Sequence, residues 1–283
     1  MAYTKFIPQL WAEAINRELE KSQVFIEDCN RQYEGTVAQA GDTVHILGIG
    51  KPTIKTLDRA NASGQIEGPE EVEDNSLPLT INHISYFNYM VGDIDKKQAV
   101  GGLMDALSEE SAYGLADEMD KFVANMATDS TVPKLTETAT TITKDNVLDI
   151  LDDAIMKLQE NNVNIASGVT VTVSPRFYKL FKQAYIGKDT NNSAELKNGK
   201  VAMYGSVTVK ISNNVAKTKT AADGDTDNIM IRTKKAIAFV NPLTHTEAYR
   251  PEKSFADAVK GYVLFDGKVV RPKEIININV KYA

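Results

Sequence analysis

Two alternating runs, held apart by a long and charge-polarised connection, limit the folds open to this chain. Val44-His45-Ile46, introduced by Gly41-Asp42-Thr43, has the period of a strand, and a second alternation starts at Leu77 with Leu79 and Ile81 on one face. Past Ser85 it continues as Tyr86-Phe87-Asn88-Tyr89-Met90-Val91. Between the runs lies Gly50 to Ser76, with Pro52, Gly64, Gly68 and Pro69. Lys51, Lys55 and Arg59 come first in it, and Glu67, Glu70, Glu71, Glu73 and Asp74 follow. Connections beyond about 12–15 residues are uncommon inside compact domains. Isolated hairpins are marginal in water, so a long two-stranded arm needs something else to cover its apolar face.

The remaining segments supply candidates for that cover. Pro8 suits a first helical turn, and Trp11, Ile15 and Leu19 follow at steps of four. From about Asp95 to Ala127 the apolar residues Val100, Leu103, Leu107, Leu115, Met119, Phe122, Val123 and Met126 fall largely at three- and four-residue steps. Asp105, Glu109, Glu110, Asp117, Glu118 and Asp120 are expected on the opposite, solvated face. Such a helix spans roughly 50 Å, and Gly101, Gly102 and Gly114 weaken it. Thr136 to Thr143 suits a strand, and Val147, Leu151, Ala154, Ile155 and Leu158 mark a helix ended by Asn161-Asn162. Val169 to Val173 is an alternating strand, and Ser174-Pro175 supplies a cap and a first-turn proline for a third helix carried by Phe177, Leu180, Phe181 and Ala184. Polar loops are expected at Gly187 to Gly199 and Asn213 to Asn228, with strands at Val201 to Ile211, Ile229 to Arg232 and Ala236 to Val240. The C-terminus reads as all-β, with Asp266-Gly267 as a hairpin signal between Ala258–Phe265 and Ile276–Val280.

Catalytic equipment is sparse. The chain has 283 residues, 38 acidic against 32 basic side chains, three histidines and one cysteine. A net charge of −6 argues against a dedicated nucleic-acid binder. No apolar run reaches the length of a membrane-spanning helix, and the N-terminus lacks a signal peptide's apolar region and cleavage site. The lone Cys29 excludes an intrachain disulfide, suits a reducing cytoplasm, and reads as a buried or interface thiol. Gly48 to Thr53 fails as a phosphate loop because Pro52 follows the lysine and His45 stands where a glycine is needed. Asp223 to Asn228 fails as a calcium loop, with Asn228 at the sixth position and Lys234 at the twelfth. His45 and His83 face each other if their strands pair, but two imidazoles make a poor zinc site. No Gly-x-Ser-x-Gly elbow is present. The sequence therefore predicts no catalytic, metal-binding or cofactor-binding residues. Trp11 and the acidic run Glu67, Glu70, Glu71, Glu73 and Asp74 are the candidate inter-subunit contacts, the run as a partner for a basic patch on another subunit.

The order of parts resembles the major capsid proteins of tailed bacteriophages, with their α+β Hong Kong 97-type fold. Phe6-Ile7-Pro8-Gln9-Leu10-Trp11, Gly41-Asp42-Thr43-Val44, Val173-Ser174-Pro175 and Val269-Val270-Arg271-Pro272 are similar to stretches of that family. The resemblance implies an N-terminal arm over 1–31 and an extended β-hairpin loop over 41–90 lying on a neighbouring subunit. It further implies a peripheral domain with a long spine helix over 91–143, an axial α/β domain over 144–241, and a return to the peripheral domain over 242–283. The implied function is structural, not enzymatic: self-assembly through pentamers and hexamers into an icosahedral shell around double-stranded DNA, touched non-specifically. Implied partners are a portal and a scaffold, separate or removed with a pro-segment. The implied location is the virion capsid, with the host cytoplasm during assembly and no membrane. Some relatives crosslink Lys to Asn, but nothing assigns such a bond to Lys51 or Lys55. The alternatives are an encapsulin-like nanocompartment subunit, an α/β enzyme with a long lid using His45, His83 and Cys29, and a tail or tube protein.

Overall fold

The computed structural model describes residues 23–33, 43–49, 54, 68, 74–92, 103–165, 168–187, 203–220 and 224–282. The expected N-terminal helix around Trp11, and the loop expected at Gly187 to Gly199 apart from Gly187, lie outside them.

Strands β1 (Thr43–Ile49) and β2 (Asp74–Thr80) pair antiparallel, from Thr43 against Thr80 to Ile49 against Asp74. The expected hairpin therefore forms, but the run from Leu77 to Val91 is not one strand. It breaks at Ile81-Asn82, and β3 (His83–Gly92) leaves for another sheet. The Asp266 carboxylate holds this corner, accepting from the Asn82 N–H at 3.2 Å and meeting His83 Nδ1 at 3.1 Å. His45 pairs with Pro78 and His83 with Phe265, so the two imidazoles do not face each other.

Helix α1 (Leu103–Asn125) has 23 residues and is roughly 35 Å long; the part of the expected helix before Leu103 lies outside the described residues. Its Leu115, Met119 and Val123 are buried. Asp120, expected on the solvated face, is only 1% exposed.

Strand β4 (Thr140–Ile142), helix α2 (Val147–Glu160), strand β5 (Val169–Val173) and helix α3 (Pro175–Gly187) follow where the sequence predicts them. Ser174 Oγ accepts from the Phe177 N–H at 3.3 Å, the expected cap. Asn162 takes the left-handed conformation (φ 60°) that ends α2. All five residues of β5 are buried, as a strand covered on both faces requires.

Strands β6 (Met203–Tyr204), β7 (Val207–Ile211), β8 (Ala216–Thr220), β9 (Gly224–Thr233), β10 (Ile237–Tyr249), β11 (Ala256–Val269) and β12 (Ile275–Tyr282) complete the chain. Two expectations fail here. The polar stretch 213–228 contains the hairpin β8–β9, with Lys217 opposite Asp227 and Lys219 opposite Asp225. Cross-strand charge pairs support strands that no apolar alternation announces. Asp266-Gly267 is no turn: it lies inside β11, where a Cβ on Gly267 would meet the end of Met126 at 2.8 Å. The glycine provides close packing, and the chain turns later, at Pro272–Glu274.

The strands form two sheets beside the hairpin. A three-stranded sheet runs β10-β11-β3, and a seven-stranded mixed sheet runs β4-β12-β9-β5-β7-β6 with β8 on β9. β10 and β11 pair with β3, whereas β12 is inserted between β4 and β9. One buried cluster joins α1, both sheets, α2 and α3, including Met119, Leu151, Phe177, Ile231, Phe239 and Phe265.

Gly261 marks the closest approach in the three-stranded sheet. Its Cβ would lie 2.6 Å from the Phe87 ring and 3.0 Å from the His245 carbonyl. Gly261→Ala is expected to destabilise the subunit by about 1–3 kcal/mol through overpacking. Chemical denaturation checks this, and a loss below about 0.5 kcal/mol would mean that Phe87 simply moves aside.

Candidate functional site

The three-stranded sheet has two unlike faces. On one, Phe87 joins the main core and the Tyr89 hydroxyl meets Ser108 Oγ of α1 at 3.2 Å. On the other, Val44 and Ile46 of β1, Leu79 of β2 and Ile81 cluster with Ala238, Val240 and Leu264. The hairpin base is therefore covered by its own chain.

Beyond that base the same face is open. Ile84, Tyr86 and Met90 are 55%, 78% and 66% exposed, at alternate positions of β3 on the outer face. They stand opposite Leu264, Tyr262 and Ala258 of β11. Around them Lys260 pairs with Glu247 at 3.1 Å, and the Tyr249 hydroxyl donates to Asn88 Oδ1 at 3.1 Å. β3 is also an edge: among the described residues no strand pairs with its second side. A ten-residue unpaired edge carrying an apolar stripe offers both backbone hydrogen bonds and apolar area to another chain. The sequence carries a signal of this, because Tyr86 to Val91 is apolar on both faces, as in strands covered on both sides.

A second arrangement anchors residues 23–33. The Asp120 carboxylate, on α1, accepts from the N–H groups of Val24, Phe25 and Ile26 at 3.0, 3.1 and 3.4 Å. Burial pushes this carboxyl above its ordinary value, against the opposing pull of these bonds and of Arg232. Arg232, 1% exposed, donates to the Phe25 carbonyl and to Cys29 Sγ, the latter at 3.1 Å. Cys29 is buried, and burial pushes its thiol up against the opposing pull of Arg232. Lys210 reaches Glu27 at 2.6 Å and Asp28 at 2.8 Å. Its hydrogen bond holds Glu27 below the usual carboxylate range; the lysine itself is raised, because the two carboxylates outweigh burial.

Of the contact residues predicted from sequence, Asp74 opens β2 opposite Ile49. Trp11, Glu67, Glu70, Glu71 and Glu73 lie outside the described residues. Among the described residues no group of three or more His, Cys, Asp or Glu could hold a metal ion. No helix of the described part is long and apolar enough to cross a membrane.

Solved structures show what this architecture is similar to. A structure from Mycobacterium phage Che8 superposes with a TM-score of 0.75 at 27% identity, covering 90% of each chain. The capsid structure of Cyanophage P-SCSP1u gives 0.73 at 16% identity, covering 92% of this chain and 88% of the other. This chain has a phage capsid fold. A virus-like particle from Pyrococcus furiosus shares it at a TM-score of 0.59 and 12% identity, covering 96% and 99%. No protein-family model matches the sequence, and no curated protein matches it.

Proposed function

We propose that the chain is the major capsid subunit of a tailed bacteriophage, of Hong Kong 97 type, that assembles with copies of itself into an icosahedral shell around double-stranded DNA. The likeness to capsid structures along the length of both chains carries this reading. The open β3 face agrees with it, since obligate assemblies bury large apolar interfaces. In this reading residues 1–31 are the arm, tethered through Asp120 and Arg232, and the hairpin loop extends from the β1–β2 base. The spine helix α1 belongs to the peripheral domain, and α2, α3 and their sheet form the axial domain around five-fold and six-fold axes. Trp11 and the acidic run Glu67 to Asp74 are contacts between copies. Scaffold, portal and packaged DNA are the other partners, first in the host cytoplasm and then in the virion.

Negative-stain microscopy of the purified chain, with and without co-expressed scaffold, tests this. Rings or closed shells are expected, and stable monomers under all assembly conditions would overturn it. The second reading, a nanocompartment, draws on the likeness to the virus-like particle. Shells that enclose a protein cargo and no DNA would favour it.

A further inference from the structure

A cleft of about 510 Å³ opens between the β4–α2 turn, helix α3 and the last strand. Its walls include Ile142, Leu180 and Tyr282, and its cations are Lys144, Arg176 and Lys179. Arg176 and Lys179 are one helical turn apart and so share a face of α3. Among the described residues no carboxylate lines this cleft. Arg176 lies over the Tyr282 ring, 5.9 Å from its centroid. That ring is fixed in turn: its hydroxyl donates to Asp227 Oδ2 at 2.7 Å and accepts from Ser174 at 2.7 Å. Three like charges gathered over apolar walls repel one another and raise the affinity for a counter-charge, because a low-dielectric wall strengthens each ion pair.

The sequence itself contains the complement. Glu67, Glu70, Glu71, Glu73 and Asp74 place five carboxylates within eight residues. Gly68, inside that run, is exposed, and a Cβ built on it would touch nothing within 4 Å. The acidic run and the cleft thus carry opposite charge. We propose that the Lys144–Arg176–Lys179 cleft of one subunit receives the Glu67–Asp74 segment of a second copy. The proposal rests on the assembly reading above and names the contact through which the acidic run acts. Packaged DNA is the competing occupant, and its phosphates would meet the same cations without regard to the acidic run.

The test is a charge swap in the full chain. Arg176→Glu with Lys179→Glu reverses the cleft at exposed positions and is expected to leave the melting temperature of the subunit unchanged. It is expected to raise the concentration needed for shell formation about tenfold or more, read by light scattering and microscopy. Adding Glu70→Lys and Glu71→Lys to the same chain restores assembly if the two segments meet. Normal assembly of the cleft variant would overturn the proposal, and so would a failure of the fourfold variant to recover. Shells that form normally but lose packaged DNA would assign the cleft to nucleic acid and also overturn it. Unaltered protein that stays monomeric would overturn both this contact and the assembly reading, whereas shells indifferent to the reversal would overturn the contact alone.

Discussion

Asp120→Ala is expected to destabilise the subunit by about 3 kcal/mol or more and to free residues 24–30 from helix α1. The carboxylate accepts three backbone N–H bonds from a segment that has no ladder partner at those positions. Each buried N–H left without an acceptor costs about 1–3 kcal/mol. Removing a carboxyl whose ionisation is opposed by burial returns part of that, so the net loss is smaller than the sum of three orphaned donors. Arg232 would then lack its nearby counter-charge while still buried, which adds to the loss. Asp120→Asn keeps one acceptor oxygen and is expected to cost about half as much. Chemical denaturation of the unassembled subunit gives the energies, and amide exchange at Val24 to Ile26 reports the local release. An alanine variant within 1 kcal/mol of the parent would show that water satisfies these N–H groups and that Asp120 is not the anchor.

The second large effect concerns assembly. Ile84→Glu with Tyr86→Glu is expected to abolish shells while leaving the subunit folded. Both side chains are more than half exposed, so the change touches little of the subunit core and stays within about 0.5 kcal/mol for folding. In a contact they would supply about 1.5–3 kcal/mol each by burial. Two carboxylates in their place lose that gain and add a desolvation cost. A loss of 3 kcal/mol per contact is already more than a hundredfold in affinity, and every subunit of a shell repeats it. Microscopy and sedimentation of the double variant check the outcome. Normal shells would show that the β3 face meets solvent in the particle.

How much of this was legible in the chain varies with the range of the interactions involved. α2, β5 and the start of α3 were readable because their signals are local: apolar periodicity, Asn161-Asn162 as a stop, and Ser174-Pro175 as a start. The hairpin base was readable from alternation in β1 and from Leu79 and Ile81. The separation of β2 from β3 was not, because the residue that holds the corner, Asp266, lies far along the chain. Asp120 looked like one more acid on a solvated face, and only the approach of Val24 to Ile26 turns it inward. Asp266-Gly267 has turn chemistry, yet Met126 and the neighbouring strand use the missing side chain for close packing. The exposed apolar residues Ile84, Tyr86 and Met90 went unselected because apolar side chains in a strand read as core until the sheet order puts the strand at an edge.

The sequence by itself determined α2, β5, α3 and the strands of the hairpin base, and the scarcity of catalytic side chains, since each of these follows from composition or from neighbours within a turn or a pleat. Only the tertiary structure decided that β12 sits between β4 and β9, that β3 has an open edge among the described residues, and that Lys144, Arg176 and Lys179 line one cleft. These depend on which distant strands meet. Alternation fixes which way a side chain points but not which strand lies beside it, so partners are selected only when the whole apolar surface is buried at once.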